Sequence, residues 1–241
     1  MSEPCGPPPA APPEALRLGA RPPLTPRRLA AALGGRLPQR GQRIGLLGGS
    51  FNPAHDGHLH ISLLALQRLR LDGLWWLVSP QNPLKPAAGM APHALRLSRA
   101  RALARHRDLT VTGIETLFGT RATADTLTLL TRYFPGVHFV WVMGADNLAQ
   151  IARWERWQRI FHTAAIAIFD RPTYSHRALA AKAARRFRRA RVVGRATSEL
   201  AVQPLPAWAF LPIPLSTLSA TDLRRLEGTK GQASAADSLR S

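Results

Sequence analysis

From Arg43 onward, short runs of consecutive apolar residues alternate with longer stretches whose apolar positions recur every three or four residues. Unbroken runs of this length suit strands buried on both faces, and the three-to-four spacing suits helices with one buried face. The pattern predicts strands at 44–47, 74–79, 109–112, 137–143, 164–169 and 208–211, and helices at 57–70, 92–106, 123–133, 147–151, 154–161, 175–189 and 220–226. A short helix over 27–33 is also compatible with the spacing. Strand–helix alternation of this kind predicts an α/β fold, a doubly wound parallel sheet with helices on both faces. Such sheets bind ligands beyond the carboxyl ends of their strands, at the point where strand order reverses. The turns after 47, 79 and 143 are therefore where chemistry is expected.

Composition sets the domain limits. Residues 1–42 are rich in Pro, Gly, Ala and Arg with little periodicity, which predicts a flexible extension, and 229–241 are small and polar, which predicts a disordered tail. The folded domain is expected at 43–228, inside a chain of 241 residues that is 45% hydrophobic and long enough to bury a sizeable core. No run approaches the ~18 uninterrupted apolar residues of a membrane span, and the Pro-rich N-terminus lacks a signal core. The single cysteine, Cys5, excludes an intrachain disulfide and a Cys-based zinc site. These features point to a cytoplasmic protein and leave an oligomer open.

The net charge is +19, with basic residues spread along the chain and densest from Ser175 to Arg191, which hold seven Lys or Arg and no acid. Phosphate contacts to nucleic acid, a field that attracts small anionic substrates, or a solvated helix face would each account for such a run. Only three of the 33 basic residues are lysines. No aromatic interleaving or RNA-binding signature accompanies the charge, which argues against nucleic acid as the main partner.

The candidate chemistry concentrates in Gly48-Gly49-Ser50-Phe51-Asn52-Pro53-Ala54-His55-Asp56-Gly57-His58, between the first strand and the first long helix. A glycine turn opening a helix lets backbone N–H groups approach an anion, and the helix N-terminus adds about half a positive charge there. Two histidines three positions apart suit a polyphosphate. They also suit half of a metal site, although no carboxylate or third ligand stands at a recognisable spacing. The string is neither a Gly-x-Gly-x-x-Gly fingerprint nor a Walker loop. It resembles the nucleotidyltransferase superfamily with a His-x-Gly-His or Thr-x-Gly-His signature after the first strand.

That resemblance implies a Rossmann-like nucleotidyltransferase fold in which the imidazoles of His55 and His58 donate to triphosphate oxygens. It extends to Ser219-Ala220-Thr221-Asp222-Leu223-Arg224, similar to the superfamily's Ser-Ser-Thr-x-Ile-Arg motif, with Ala220 in place of a serine. Ser219, Thr221 and Arg224 are thereby implied as phosphate ligands, although a Ser/Thr-rich helix start ordinarily means only an N-cap. Lys85, in a Pro- and Asn-containing loop after the second strand, matches a phosphate-bridging lysine; Leu84 stands where the family often has histidine.

Two further segments resemble bacterial nicotinate-nucleotide adenylyltransferases. Gly144-Ala145-Asp146-Asn147-Leu148, with Trp154 eight residues past Asp146, is similar to a Gly-x-Asp-x-Leu…Trp pattern. This implies Gly144 and Asp146 beside the ATP ribose and Trp154 stacked on the pyridine ring. Gly119 to Leu127 is similar to a Tyr-Thr-x-Asp-Thr-Leu stretch, with Ala122 for the tyrosine, which implies that Thr123 recognises the nicotinate carboxylate. The segment Phe169-Asp170-Arg171-Pro172 also matches the family. The implied substrates are ATP and nicotinate mononucleotide, with Mg²⁺ carried by ATP and no protein metal site. Catalytic roles fall to His55, His58, Lys85 and Arg224, and the adenosine site to Gly48, Gly49, Ser50 and Phe51 with Gly144 and Asp146. A sister transferase acting on nicotinamide mononucleotide or phosphopantetheine is the alternative.

Overall fold

The structure, a computed structural model, describes residues 24–80, 89–170 and 175–212. Six strands form one sheet: β1 (Arg43–Gly49), β2 (Gly73–Val78), β3 (Leu109–Thr112), β4 (His138–Gly144), β5 (Ala165–Phe169) and β6 (Trp208–Leu211). Their order is β3-β2-β1-β4-β5-β6, and every pairing is parallel. Strand order reverses between β1 and β4, so the carboxyl ends of these two neighbours form the switch point. Leu46 pairs with Trp141 across that seam, and Gly48 and Gly49 pair with Leu77 and Val78 of β2.

Nine α-helices lie among the described residues: α1 (Pro26–Ala32), α2 (Asp56–Arg68), α3 (His93–Leu103), α4 (Ile114–Phe118), α5 (Thr123–Tyr133), α6 (Ala145–Gln150), α7 (Trp157–Thr163), α8 (Ser175–Leu179) and α9 (Lys182–Arg186). Alternate residues of each strand feed two cores. On one face, Ile44, Leu46, Trp75, Leu77, Trp141 and Met143 meet α1 and the helices from α4 to α9. On the other, Leu47, Trp76, Val78, Val140 and Val142 meet α2, α3 and a 3₁₀ segment, Gly194–Val202. Both faces are covered, which is why five of the strands read as nearly continuous apolar runs; the edge strand β3, Leu-Thr-Val-Thr, is only partly buried at Thr110 and Val111.

All six expected strands and the helix at 123–133 are present. The differences have local causes. The helix compatible with 27–33 forms as α1, capped by Thr25, and buries Leu29 and Leu33 in the first core. Packing therefore begins before residue 43, within a segment whose composition hides one amphipathic turn. The single helix expected at 175–189 is divided into α8, α9 and a 3₁₀ turn, Arg188–Ala190, because Ala181 is extended. That break lets Ala183, Ala184 and Phe187 reach the core, with Phe187 stacked 4.1 Å from Phe161, while the arginines remain outside. The helix expected at 154–161 starts at Trp157, because Trp154 is extended and Arg156 is left-handed at φ 52°. At five residues, α4 is too short to show a period, and it stops at left-handed Gly119. The helix expected at 220–226 lies outside the described residues.

One buried polar chain ties α2 to the sheet. The Trp76 indole Nε1–H donates to Ser62 Oγ at 2.8 Å, and the Ser62 hydroxyl donates to the His58 carbonyl at 2.7 Å, with both side chains fully buried. Ser62→Ala leaves the indole N–H without its acceptor, which costs about 1–3 kcal/mol. Urea unfolding of the variant checks this, and unchanged stability would mean that the indole finds another partner.

Candidate functional site

Near the carboxyl end of β1, Gly48 has no room for a side chain. A Cβ on Gly48 would fall on the Trp141 indole, 2.8 Å from Cζ2 and closer still to Cη2. Only glycine tolerates that approach. Three residues on, Phe51 adopts φ 47°, a left-handed conformation that costs about 1–2 kcal/mol for a residue with a Cβ. Its burial holds it there. The ring is 2% exposed, stacks on Trp76 at 5.0 Å and 16°, and lies 4.7 Å from the His58 ring. The Asn52 side chain then donates to the Gly89 carbonyl at 3.1 Å and accepts from the Ala91 N–H at 3.2 Å, which joins this turn to the approach of α3.

His55 is the N-cap of α2, and His58 is its third residue. The backbone N–H of His55 donates to His58 Nδ1 at 3.2 Å, and the two rings lie 3.8 Å apart. A nitrogen that accepts cannot carry a proton, so the neutral His58 imidazole is protonated at Nε2. The ring stands at the start of a helix, where partial positive charge gathers. The two histidines differ in access, since His55 is 6% exposed and His58 is only half-buried. Among the described residues, no group of three or more His, Cys, Asp or Glu could hold a metal ion.

Across the seam, β4 ends in Gly144, the N-cap of α6, and Asp146 lies in the first turn of that helix. The indole that covers Gly48 also reaches the other way: Trp141 meets Trp154 at 6.5 Å, ring planes perpendicular. Trp154 is half-buried. Its loop is tied to α5 by the Arg156–Asp125 ion pair at 2.6 Å, two residues beyond Thr123, the first residue of α5. Beneath that helix start lies a buried polar cluster. Thr126 Oγ1 donates to Glu115 Oε1 at 3.2 Å and shares a 2.7 Å hydrogen bond with Thr120 Oγ1. Glu115 is 6% exposed, and its burial outweighs the Thr126 hydrogen bond and pushes its carboxyl up to about 7.

Of the residues expected from the sequence, Gly48, Gly49, Ser50, Phe51, His55 and His58 gather at the end of β1, beside Gly144 and Asp146 at the end of β4. Trp154 joins them through Trp141, whereas Thr123, at the start of α5, is connected to the Trp154 loop only by way of the neighbouring Arg156–Asp125 ion pair. Lys85, Ser219, Thr221 and Arg224 lie outside the described residues. Sequence reasoning passed over Trp141, Asn52, Glu115 and Arg96. Arg96 carried a signal, being an arginine on the face of α3 that also buries Ala100. Trp141 carried none, because a tryptophan in an apolar strand reads as core.

The cytidylyltransferase-like family profile matches residues 46–168. A Cereibacter sphaeroides protein named probable nicotinate-nucleotide adenylyltransferase is 50% identical over 190 residues, covering 79% of this chain and 98% of its own length. A Methylorubrum extorquens protein of the same name is 53% identical over 182 residues, covering 76% and 98%. Among solved structures, Plasmodium falciparum nicotinic acid mononucleotide adenylyltransferase complexed with NaAD matches with a TM-score of 0.56 and 14% identity, over 76% of this chain and 83% of that one. At that identity the likeness concerns the fold. Sheet order, glycine turn and family profile together define a nucleotidyltransferase of the cytidylyltransferase-like class. Within it, the chain belongs to the nicotinate-nucleotide adenylyltransferases.

The Glu115 carboxyl makes stability depend on pH. The folded state holds the proton to about pH 7, whereas the exposed carboxyl releases it near 4.5. Its contribution is therefore complete below 4.5 and is lost as pH rises to about 7. Relative to Glu115→Gln, the wild type should lose stability across that interval at up to about 1.4 kcal/mol per pH unit. Denaturant unfolding in a pH series checks this, and parallel curves for the two proteins would refute it.

Proposed function

We propose that the chain transfers AMP from ATP to nicotinate mononucleotide, giving deamido-NAD and pyrophosphate. The observation that carries this reading is the identity of about 50% along 98% of the length of relatives bearing that enzyme name. A glycine turn and paired histidines at the sheet's switch point support it. In the reaction, a 5′-phosphate oxygen of the acceptor attacks the ATP α-phosphorus. The bond from that phosphorus to the α,β-bridging oxygen breaks, and pyrophosphate leaves with the electron pair. Mg²⁺ belongs to the ATP substrate, whose phosphates supply its oxygen ligands.

Each side chain then has a role. His58 donates from Nε2 to a phosphate oxygen, and His55 caps the same helix and backs that ring. Lys85 and Arg224, with Ser219 and Thr221, share the charge of the β- and γ-phosphates. Gly48, Gly49, Ser50 and Phe51 form the near wall of the adenosine site, and Gly144 and Asp146 form the wall across the seam. Thr123 and Trp154 hold the nicotinate, with the indole as a flat platform for the pyridine ring. Rate comes from positioning and charge neutralisation and needs no covalent intermediate. No described helix is long and apolar enough to cross a membrane, and a biosynthetic enzyme using ATP fits the cytoplasm.

His58→Ala removes a donor aimed at developing charge, and turnover should fall by about 10²-fold or more. A pyrophosphate-release assay measures this, with circular dichroism to show that the variant is folded. Near-wild-type turnover would remove the catalytic role. The same assay, run on wild type with nicotinate mononucleotide, nicotinamide mononucleotide and phosphopantetheine, tests the acceptor. A preference for either of the latter two would replace this reading with a sister transferase.

A further inference from the structure

The buried face of α3 carries a cation. Arg96 is 1% exposed, and desolvation lowers its pKa, yet a guanidinium remains charged in proteins. Among the described residues no carboxylate pairs with it. Its partners are all backbone carbonyls. Nη1 donates to Ser50 at 2.6 Å and to Ser79 at 2.8 Å, Nη2 donates to Pro80 at 2.8 Å, and Nε donates to Ala91 at 2.9 Å. These four carbonyls come from three segments. Ser50 belongs to the glycine turn after β1, Ser79 and Pro80 follow β2, and Ala91 precedes α3.

We infer that Arg96 is a positioning residue of the adenylyl-transfer site. It fixes the turn that leads to His55 and His58 relative to Ser79 and Pro80, where the chain leaves β2. The inference rests on the reading of the site given above. A planar fork with five N–H donors spans three segments at once, whereas a tetrahedral ammonium has three donors and no fixed plane. The bond to Ser50 also sets a dipole. In a trans peptide the carbonyl and the next N–H point in opposite directions, so drawing the Ser50 oxygen toward α3 turns the Phe51 N–H away from it. The arginine thereby keeps the carbonyl of the glycine turn from facing an anion. Other contacts latch the same region without reaching Ser50, including His93 Nε2 to the Val78 carbonyl at 2.9 Å and the Asn52 bonds to Gly89 and Ala91.

Arg96→Lys in the full chain tests this, because it keeps the charge and removes the fork. Kinetics are measured well below the unfolding midpoint and normalised to folded protein. kcat/KM for ATP should fall by about 10²-fold, the scale of a small misplacement of reacting groups. KM for nicotinate mononucleotide should stay within about twofold, since Thr123 and Trp154 are held by other contacts. A role in stability alone would lower the unfolding midpoint and leave the ATP kinetics of the folded protein unchanged, which would overturn the inference. If the variant does not fold, hydrogen exchange of the wild type decides. ATP should slow exchange over 89–100 as well as 48–58, and protection confined to 48–58 would refute the coupling. Failure of the wild type to form pyrophosphate with nicotinate mononucleotide would instead refute the functional reading, a separate outcome.

Discussion

The Trp141 indole lies where a side chain on Gly48 would be, and the carboxyl edge of the sheet is built around that contact. Glycine at the end of β1 admits the ring, and the ring closes the seam between β1 and β4 where strand order reverses. The same indole then meets Trp154. A single residue from β4 therefore joins the turn assigned to the triphosphate with the aromatic assigned to the pyridine. Close packing makes this arrangement rigid, since interiors at crystal-like density do not absorb an added methyl group without displacing neighbours.

Around this contact the polar groups at the site are organised from beneath. Trp76 holds Ser62, Ser62 holds the His58 carbonyl, and the His55 N–H holds the His58 ring. Arg96 holds the Ser50 carbonyl, and Asn52 holds the residues entering α3. Each bond is modest by itself, but each spares a buried group from remaining unsatisfied, which is the larger cost. The outcome is a helix start whose orientation is set by contacts that reach it from below, through β2 and the turn after β1. Preorganisation of this kind suits a reaction that depends on placing phosphates and neutralising their charge.

Much of this was legible in the residue pattern. Strands covered on both faces are mostly apolar, so the runs of β1, β2, β4, β5 and β6 stood out, while the edge strand β3, Leu-Thr-Val-Thr, is half polar and only partly covered. The helix at 123–133 showed its period over eleven residues and ends where expected. The motif residues of the glycine turn and of Gly144 to Asp146 came together because turns after parallel strands all open on the same edge of the sheet. The break in 175–189 was not legible, because a helix-forming alanine- and arginine-rich stretch carries no mark of where Phe187 must turn inward. Arg96 shares its helix face with buried Ala100, but in a chain with 30 arginines that spacing does not say which carbonyls the guanidinium meets.

Local chemistry alone specified the class of fold, the glycine turn and the residues able to meet a polyphosphate, because periodicity, glycine and helix starts act over a few neighbours. Tertiary structure decided how those pieces are held. Which indole covers Gly48, which carbonyls receive the Arg96 fork and how far burial raises the Glu115 carboxyl all depend on residues brought together across strands and helices. Those contacts arise from packing at a distance along the chain, which no window of adjacent residues contains.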